Sequence, residues 1–396
     1  MYLNKTKDLN VLHVIPYLSL VRGGPSQGTI DTIRSLNHQG INALVVTTDD
    51  DGPSRLDVPL GKSIDFYGVS AVFFKKFSSS FIALQEFSFS VSLTSWLWKN
   101  ISDYDVVHVH TIFSYPSTIA MIISRIKKVP YFVQPHGLLC RWALKQSHFR
   151  KKVYLKLIER NNINNSSGII LTTEQELCEV SDLKLKVSKN IIPYGVYPPD
   201  IIHNAREIIR GQLNIQPDEV IILFMARLHK KKGLDFLIPA LSKMSNTKFK
   251  FLIAGSGNSE YEAEVSRLLK ESNLESRTIA LGFVSGEFKQ QLLQAADLFV
   301  LTSHSENFGV SVFEAWSSGL PTLLTPGVAL ANLSEKNGFG FVAELSVESI
   351  AQTLNMYMNN PSRAKEMGNY ARDFIVENYS WEKISRDFIA VYRQVQ

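Results

Sequence analysis

Short, almost unbroken apolar runs alternate along this chain with amphipathic stretches and polar, glycine-bearing loops. Residues 11–17, 41–47, 105–110, 131–134 and 168–172 read as strands in the first half, and 220–226, 249–255, 279–284 and 298–301 in the second. Helical spacing follows most of them: from about Ser26 to Asn37, around Arg206–Arg210, from Leu234, from about Glu260, through Glu314 and from Val347. Such alternation predicts an α/β protein with parallel sheets. Thr173 and Glu174 carry an N-cap signature. Residues 81–101, apolar and aromatic, have the spacing of a core helix, and Gly338-Phe339-Gly340-Phe341-Val342 reads as a glycine-rich turn. The run Asp49-Asp50-Asp51-Gly52-Pro53 reads as a charged turn rather than a metal site, because consecutive side chains point apart.

At 396 residues the chain exceeds one ordinary core, so two domains are expected. With 45% hydrophobic and 20% charged residues it is globular rather than disordered. Two cysteines, Cys140 and Cys178, make neither a disulfide framework nor a metal-ligand pattern and fit a reducing, cytoplasmic setting. No apolar run approaches the roughly 20 residues of a spanning helix. The net charge of +5 is modest and gives no reason to expect nucleic acid, but it is uneven. Between Arg141 and Arg160 seven basic residues stand against Glu159 alone. A solvated helix face is the ordinary reading; an anionic partner, phospholipid or pyrophosphate, is the second, with peripheral contact at the inner face of a membrane.

Candidate chemistry collects where strands end. In an open parallel sheet, ligands bind beyond the carboxyl ends of the strands, and helix N-termini there favour anions. Gly23 and Gly24 sit between the first strand and its helix, where backbone can approach a ligand closely. His110 ends one strand, and His136, within Pro135-His136-Gly137, ends another; Arg141 and Trp142 follow. In the second half a basic loop, Arg227-Leu228-His229-Lys230-Lys231-Lys232-Gly233, joins a strand to a helix and suits a pyrophosphate. Ser303-His304-Ser305-Glu306-Asn307-Phe308-Gly309 then leads to a helix bearing Glu314, which puts one carboxylate on a loop tip and another on a helix.

Glu306 and Glu314, with seven residues between them inside Ser-x-x-Glu-Asn-Phe-Gly-Val-x-x-Phe-Glu-Ala, resemble the signature of the family 4 glycosyltransferases. These are retaining enzymes of the GT-B fold, two Rossmann-like parallel-sheet domains facing a cleft. With Arg227-x4-Lys232-Gly233 and the Gly-Gly loop, the likeness covers nearly the whole chain. It implies an acceptor-side domain over 1–194, joined by a final helix over 380–396, and a donor-binding domain over 195–379. It implies that Gly23, Gly24, Arg227 and Lys232 face the donor diphosphate. Glu306, Asn307, Phe308 and Gly309 would hold the sugar, and Val284 and Glu314 the nucleoside. His136 and Glu306 would be the catalytic pair, with His110, Arg141 and Trp142 toward the acceptor. The expected donor is a UDP-sugar, then a GDP-sugar; the acceptor is a glycan or a lipid-pyrophosphate-linked sugar, and neither cofactor nor metal is expected. An epimerase of the same fold, or a two-lobed binding protein without activity, is the alternative. The chain departs from the family at Tyr194-Gly195-Val196-Tyr197, where Asn-Gly-Val-Asp is common.

Overall fold

The structure is a computed structural model that describes residues 9–52, 54–77, 87–146, 148–244 and 247–395. The chain divides into two compact units, one of residues 1–195 with 381–396 and the other of 196–380.

The first unit is built on an eight-stranded sheet. Its strands are β1 (Asn10–Tyr17), β2 (Asn42–Thr48), β5 (Ser63–Phe66), β6 (Val69–Phe74), β7 (Val106–His110), β8 (Tyr131–Gln134), β9 (Gly168–Leu171) and β10 (Lys189–Ile191). Their order is β10-β9-β8-β7-β1-β2-β6-β5, parallel except for the edge pair β5–β6. Inner strands β1, β7, β8 and β9 are buried nearly throughout, so the chain needs apolar residues on both faces. One face is covered by Gly24–His38 and by the last helix, Trp381–Arg393, whose Tyr392 hydroxyl meets His108 Nδ1 at 2.7 Å. A small hairpin, β3 (Asp50–Asp51) with β4 (Ser54–Arg55), completes this unit.

The acidic tract turns between β3 and β4, but its charges lie inside. Asp49 and Asp50 are buried; Asp50 pairs with Arg22 and Lys76, and Asp49 accepts the Lys76 backbone N–H at 2.7 Å. Burial of these carboxylates is tolerable because each is paired and hydrogen-bonded. The stretch 81–101 lies partly outside the described residues; its second half forms the helix Val91–Asn100, capped by Ser90.

The second unit holds a six-stranded, wholly parallel sheet: β11 (Val220–Met225), β12 (Phe249–Ala254), β13 (Thr278–Gly282), β14 (Leu298–Leu301), β15 (Thr322–Leu324) and β16 (Gly340–Val342). Its order is β13-β12-β11-β14-β15-β16. Numbered within the unit this is 3-2-1-4-5-6, the Rossmann order, with the reversal between β11 and β14. Of the glycine-rich stretch read as a turn, Gly338 and Phe339 do turn, and Gly340–Val342 form the edge strand β16. Gly340 lies against Thr322 of β15, where a Cβ would come within 2.2 Å of the Thr322 carbonyl oxygen. In the first unit the reversal falls between β1 and β7. Each sheet therefore has one crevice defined by its own topology, and the candidate residues fall at those two points.

Candidate active site

In the second unit the loop after β11 and the loop after β14 meet at the reversal. Backbone ties them, since His304 N–H donates to the Lys231 carbonyl at 2.8 Å and the Thr302 hydroxyl donates to the Gly233 carbonyl at 3.0 Å. Gly233 (φ 71°) is obligatory there, because a Cβ would lie 1.9 Å from the Thr302 carbonyl oxygen. This junction delivers the Lys232 ammonium to the Glu306 carboxylate, with Lys231 Nζ 4.0 Å from the same oxygen. Glu306 is fixed in turn by its own backbone: its N–H donates to the Gly327 carbonyl at 2.7 Å, and its carbonyl accepts from Ala329 at 3.0 Å.

Burial alone would push the Glu306 carboxyl up. The charges of Lys232 and Lys231, the hydrogen bond from Lys232 and the more distant charge of Arg227 outweigh it and hold Glu306 below the usual range. Arg227 is exposed at the start of the same loop. His229 caps that loop, its Nδ1 accepting from Lys231 N–H at 3.1 Å. Partial burial and then the charges of Arg227, Lys231 and Lys232 keep His229 below the ordinary histidine range.

Two helices start at this reversal, Leu234–Ser242 on Gly233 and Val310–Ser317 on Gly309, and neither has a side-chain cap. The helix Gly24–His38 of the first unit likewise begins on Gly23 without one. Elsewhere Ser90, Thr173, Asn258, Ser346 and Asn360 each accept a first-turn N–H. At the glycine-capped starts the equivalent N–H groups of Phe236, Val312 and Ser26 turn to the Gly233, Gly309 and Gly23 carbonyls at 3.1, 2.8 and 3.1 Å, which leaves the N–H groups just ahead of them for a bound anion. Phe308 is 3% exposed and packs on Phe313 with ring centroids 4.6 Å apart, so only its backbone can serve a ligand. Glu314, half-buried, is held by Lys289 Nζ at 2.6 Å. Lys289 lies on the helix Gly286–Ala295 that follows Val284, two residues beyond β13.

In the first unit, Gly23 (φ 93°) has open space around it. Thr111, Phe113 and His136 all hold positive φ, at 64°, 60° and 51°, beyond the ends of β7 and β8. Left-handed backbone at non-glycine residues costs energy and concentrates at functional sites. His136 Nε2 lies 3.0 Å from His110 Nδ1, and its Nδ1 lies 2.6 Å from the Tyr194 hydroxyl. The expectation that His110 meets an acceptor needs correcting: it is fully buried, and its other nitrogen is 2.9 Å from His13 Nδ1. Arg141 is exposed but bound to Asp182 at 2.6 Å, and its N–H donates to Glu179 at 2.6 Å; Trp142 stands beside it, half-buried. Lys231, Lys289, His13 and Tyr194 are the members of these clusters that sequence reasoning missed.

Glycine-opened helix N-termini and a cationic loop against a carboxylate, set on two Rossmann-like units, define an α/β protein with an anion-binding loop at a topological reversal. Comparison with known proteins gives the family. Residues 205–374 match the model for glycosyl transferases group 1, and 23–195 match the glycosyl transferase 4-like domain. The chain belongs to the family 4 glycosyltransferases and has their GT-B fold. Relatives include an uncharacterized glycosyltransferase of Methanocaldococcus jannaschii, 26% identical over 74% of this chain and 76% of the relative. Another is alpha-monoglucosyldiacylglycerol synthase of Streptococcus pneumoniae, 22% identical over 79% and 70%. Among solved structures, Anabaena HepE with UDP and glucose has a TM-score of 0.78 at 18% identity, covering 98% of this chain and 100% of that one.

Proposed function

We propose that this enzyme transfers a hexose from a nucleotide-sugar, a UDP-sugar before a GDP-sugar, to a glycan or lipid-linked acceptor in polysaccharide synthesis, with retention and without a metal ion. The observation that carries this reading is the meeting of Lys232 and Lys231 with Glu306 at the topological reversal of the second sheet, within reach of the Arg227 charge. UDP or UDP-glucose in the HepE structures, and UDP in that of Staphylococcus aureus TarM, support the donor class.

Departure of a nucleoside diphosphate puts negative charge on its β-phosphate. Arg227 and Lys232, with the open N–H groups above Gly233 and Gly309, stabilise that charge electrostatically. Glu306, kept ionised, accepts hydrogen bonds from sugar hydroxyls together with the backbone from Asn307 to Gly309. Glu314, steadied by Lys289, accepts from the ribose, and backbone near Val284 meets the base. A covalent intermediate needs a carboxylate free to attack the anomeric carbon. Glu306 is instead assigned to the sugar hydroxyls, which favours departure and attack on one face through an oxocarbenium-like transition state. Gly23 and Gly24 turn open backbone to the diphosphate and acceptor.

The acceptor-side unit suits peripheral contact with an anionic lipid surface. Phe149, Val153 and Leu157 are 78%, 40% and 70% exposed at four-residue spacing, with Arg150, Lys152 and Lys156 exposed beside them. Among the described residues no helix is long and apolar enough to cross a membrane.

The test is release of nucleoside diphosphate from a panel of UDP-, GDP- and ADP-sugars, with and without glycan and lipid-linked acceptors. Acceptor-dependent release supports transfer. Interconversion of sugars without release would point to the epimerase, and binding without turnover to a non-catalytic protein.

A further inference from the structure

Behind His136 lies a single file of polar side chains buried in the first unit. His13 on β1 and His108 and His110 on β7 all project to one side of the sheet, with His13 registered against His108. The file runs His13 Nδ1 to His110 Nε2 at 2.9 Å, His110 Nδ1 to His136 Nε2 at 3.0 Å, and His136 Nδ1 to the Tyr194 oxygen at 2.6 Å. The Thr29 hydroxyl lies 3.3 Å from His110 Nδ1. His13 Nε2 ends the file, buried and without a partner among the described residues. Tyr194 is the residue at which this chain departs from the usual Asn. Its ring packs on Gly28, where a Cβ would come within 2.2 Å, so the same side chain braces the helix that opens at Gly23 and Gly24.

His13, His108 and His110 also have the composition of a metal centre, with nitrogens within 4.8 Å of one another. Their hydrogen bonds argue against it. Both ring nitrogens of His110 are already engaged, Nε2 with His13 Nδ1 at 2.9 Å and Nδ1 with His136 Nε2 at 3.0 Å, so His110 has no lone pair to give an ion.

A neutral imidazole has one N–H and one acceptor nitrogen. The three links can therefore be made in only two ways. Either Tyr194 donates and every imidazole carries its proton on Nε2, or His13 donates and every imidazole carries it on Nδ1. Both leave His136 with no ring nitrogen to spare. We infer that Tyr194, His110 and His13 are positioning residues for His136: their chain holds it neutral, in one orientation and one tautomer, so that it serves the sugar as a fixed polar wall and not as an acid or base. Burial also holds His13 and His136 down to about 3, which agrees with neutral rings. The inference rests on His136 lying at the donor site, as the resemblance to the family implies, and so on the proposed reaction.

The test uses the full chain with 15N-labelled histidine rings, alongside donor turnover. At pH 7, His13, His110 and His136 are expected in one shared tautomer. Tyr194→Phe keeps the ring on Gly28 but removes the hydroxyl. It should shift the His136 ring signals and lower kcat about tenfold with donor KM unchanged. His13→Leu, remote from any substrate, should break the shared tautomer and cut kcat severalfold, whereas His13→Asn, able to bond His110, should restore both. Mixed tautomers in the wild type, a His136 that titrates near 6.5, stoichiometric metal in the purified protein, or full kcat in Tyr194→Phe would overturn it. Should no donor turn over at all, the tautomers still decide the chain on their own, and only the proposed reaction falls.

Discussion

The two units share a sheet plan and use it in opposite ways. At the reversal of the second sheet, charge sits at the ends of strands: Arg227 is exposed, and Lys231, Lys232 and Glu306 are partly so, ready to exchange their mutual pairing for a ligand. At the reversal of the first sheet, the polar groups are drawn inside. His13, His108, His110, Asp49, Asp50 and Glu159 are all buried, while Gly23 and His136 keep partial exposure. A unit that grips a charged leaving group needs accessible cations. A unit that presents a neutral nucleophile needs shape and fixed dipoles, and it can store its titratable groups in the core. Substitutions in the second unit should therefore tax activity, and pH should tax the stability of the first.

The sharpest separation comes from Lys232→Ala. Loss of one preorganised donor to developing charge costs about 10²–10³ in rate, roughly 3–4 kcal/mol. We expect that drop in kcat/KM for donor, with Tm changed by no more than a few degrees. Large unfolding with retained specific activity would reverse the assignment of roles.

Glu159 offers the converse case. Its carboxyl accepts from Phe113 N–H at 3.1 Å and from the Thr118 hydroxyl at 3.0 Å, while its other oxygen is buried without a partner among the described residues. Burial, only partly opposed by those hydrogen bonds, pushes its pKa up to about 7. The folded state then binds a proton that the unfolded chain releases near 4.5, so stability falls as pH rises from 4.5 to 7 and stays low above. Glu159→Gln removes that penalty and should stabilise the protein at pH 8 by up to about 3 kcal/mol, with little gain at pH 4.5. Denaturant titration at the two pH values decides it.

Acid acts on the same unit with the other sign. His13 and His136 charge only near pH 3 when folded but near 6.5 when unfolded, so each loses about 1.4 kcal/mol per pH unit on acidification below 6.5. Glu159 returns about the same amount per unit down to 4.5, and His108 and His110, also lowered by burial, add to the loss. The net fall from pH 6.5 to 5 should be about 2 kcal/mol or more, and steeper in Glu159→Gln. A flat profile would contradict the buried neutral histidines. The smallest effect is expected from Gly28→Ala, which forces the Tyr194 ring aside: about 1–2 kcal/mol of stability, with a shift in the His136 ring signals.

Most strands were legible because parallel strands buried on both faces need unbroken apolar runs, and residues 11–17 or 220–226 have nothing else to become. The pair β5–β6 was not, although Tyr67 and Gly68 both take positive φ, as a two-residue type I′ hairpin requires. A tyrosine at the first of these positions hides that signal. The burial of Asp49 and Asp50 was not legible because Arg22 and Lys76, which neutralise Asp50, lie 28 and 26 residues away. Lys232 on one strand–loop–helix unit, and Glu306 with Glu314 on another, stood out because motif spacing within such a unit is local information. His13 with His110, 97 residues apart, and Tyr194 with His136, 58 apart, meet only once the strand order is known, and no local pattern encodes that order.

The claim on which the account turns is that the loop around Lys232 receives the donor's diphosphate. Calorimetry of UDP and GDP against the wild type, Lys232→Ala and an Arg227→Ala/Lys232→Ala double variant tests it directly. The account predicts saturable binding of at least one nucleoside diphosphate, weakened tenfold or more by the first substitution and abolished by the second. Equal affinity across all three proteins, or no binding of either nucleotide to the wild type, would contradict it.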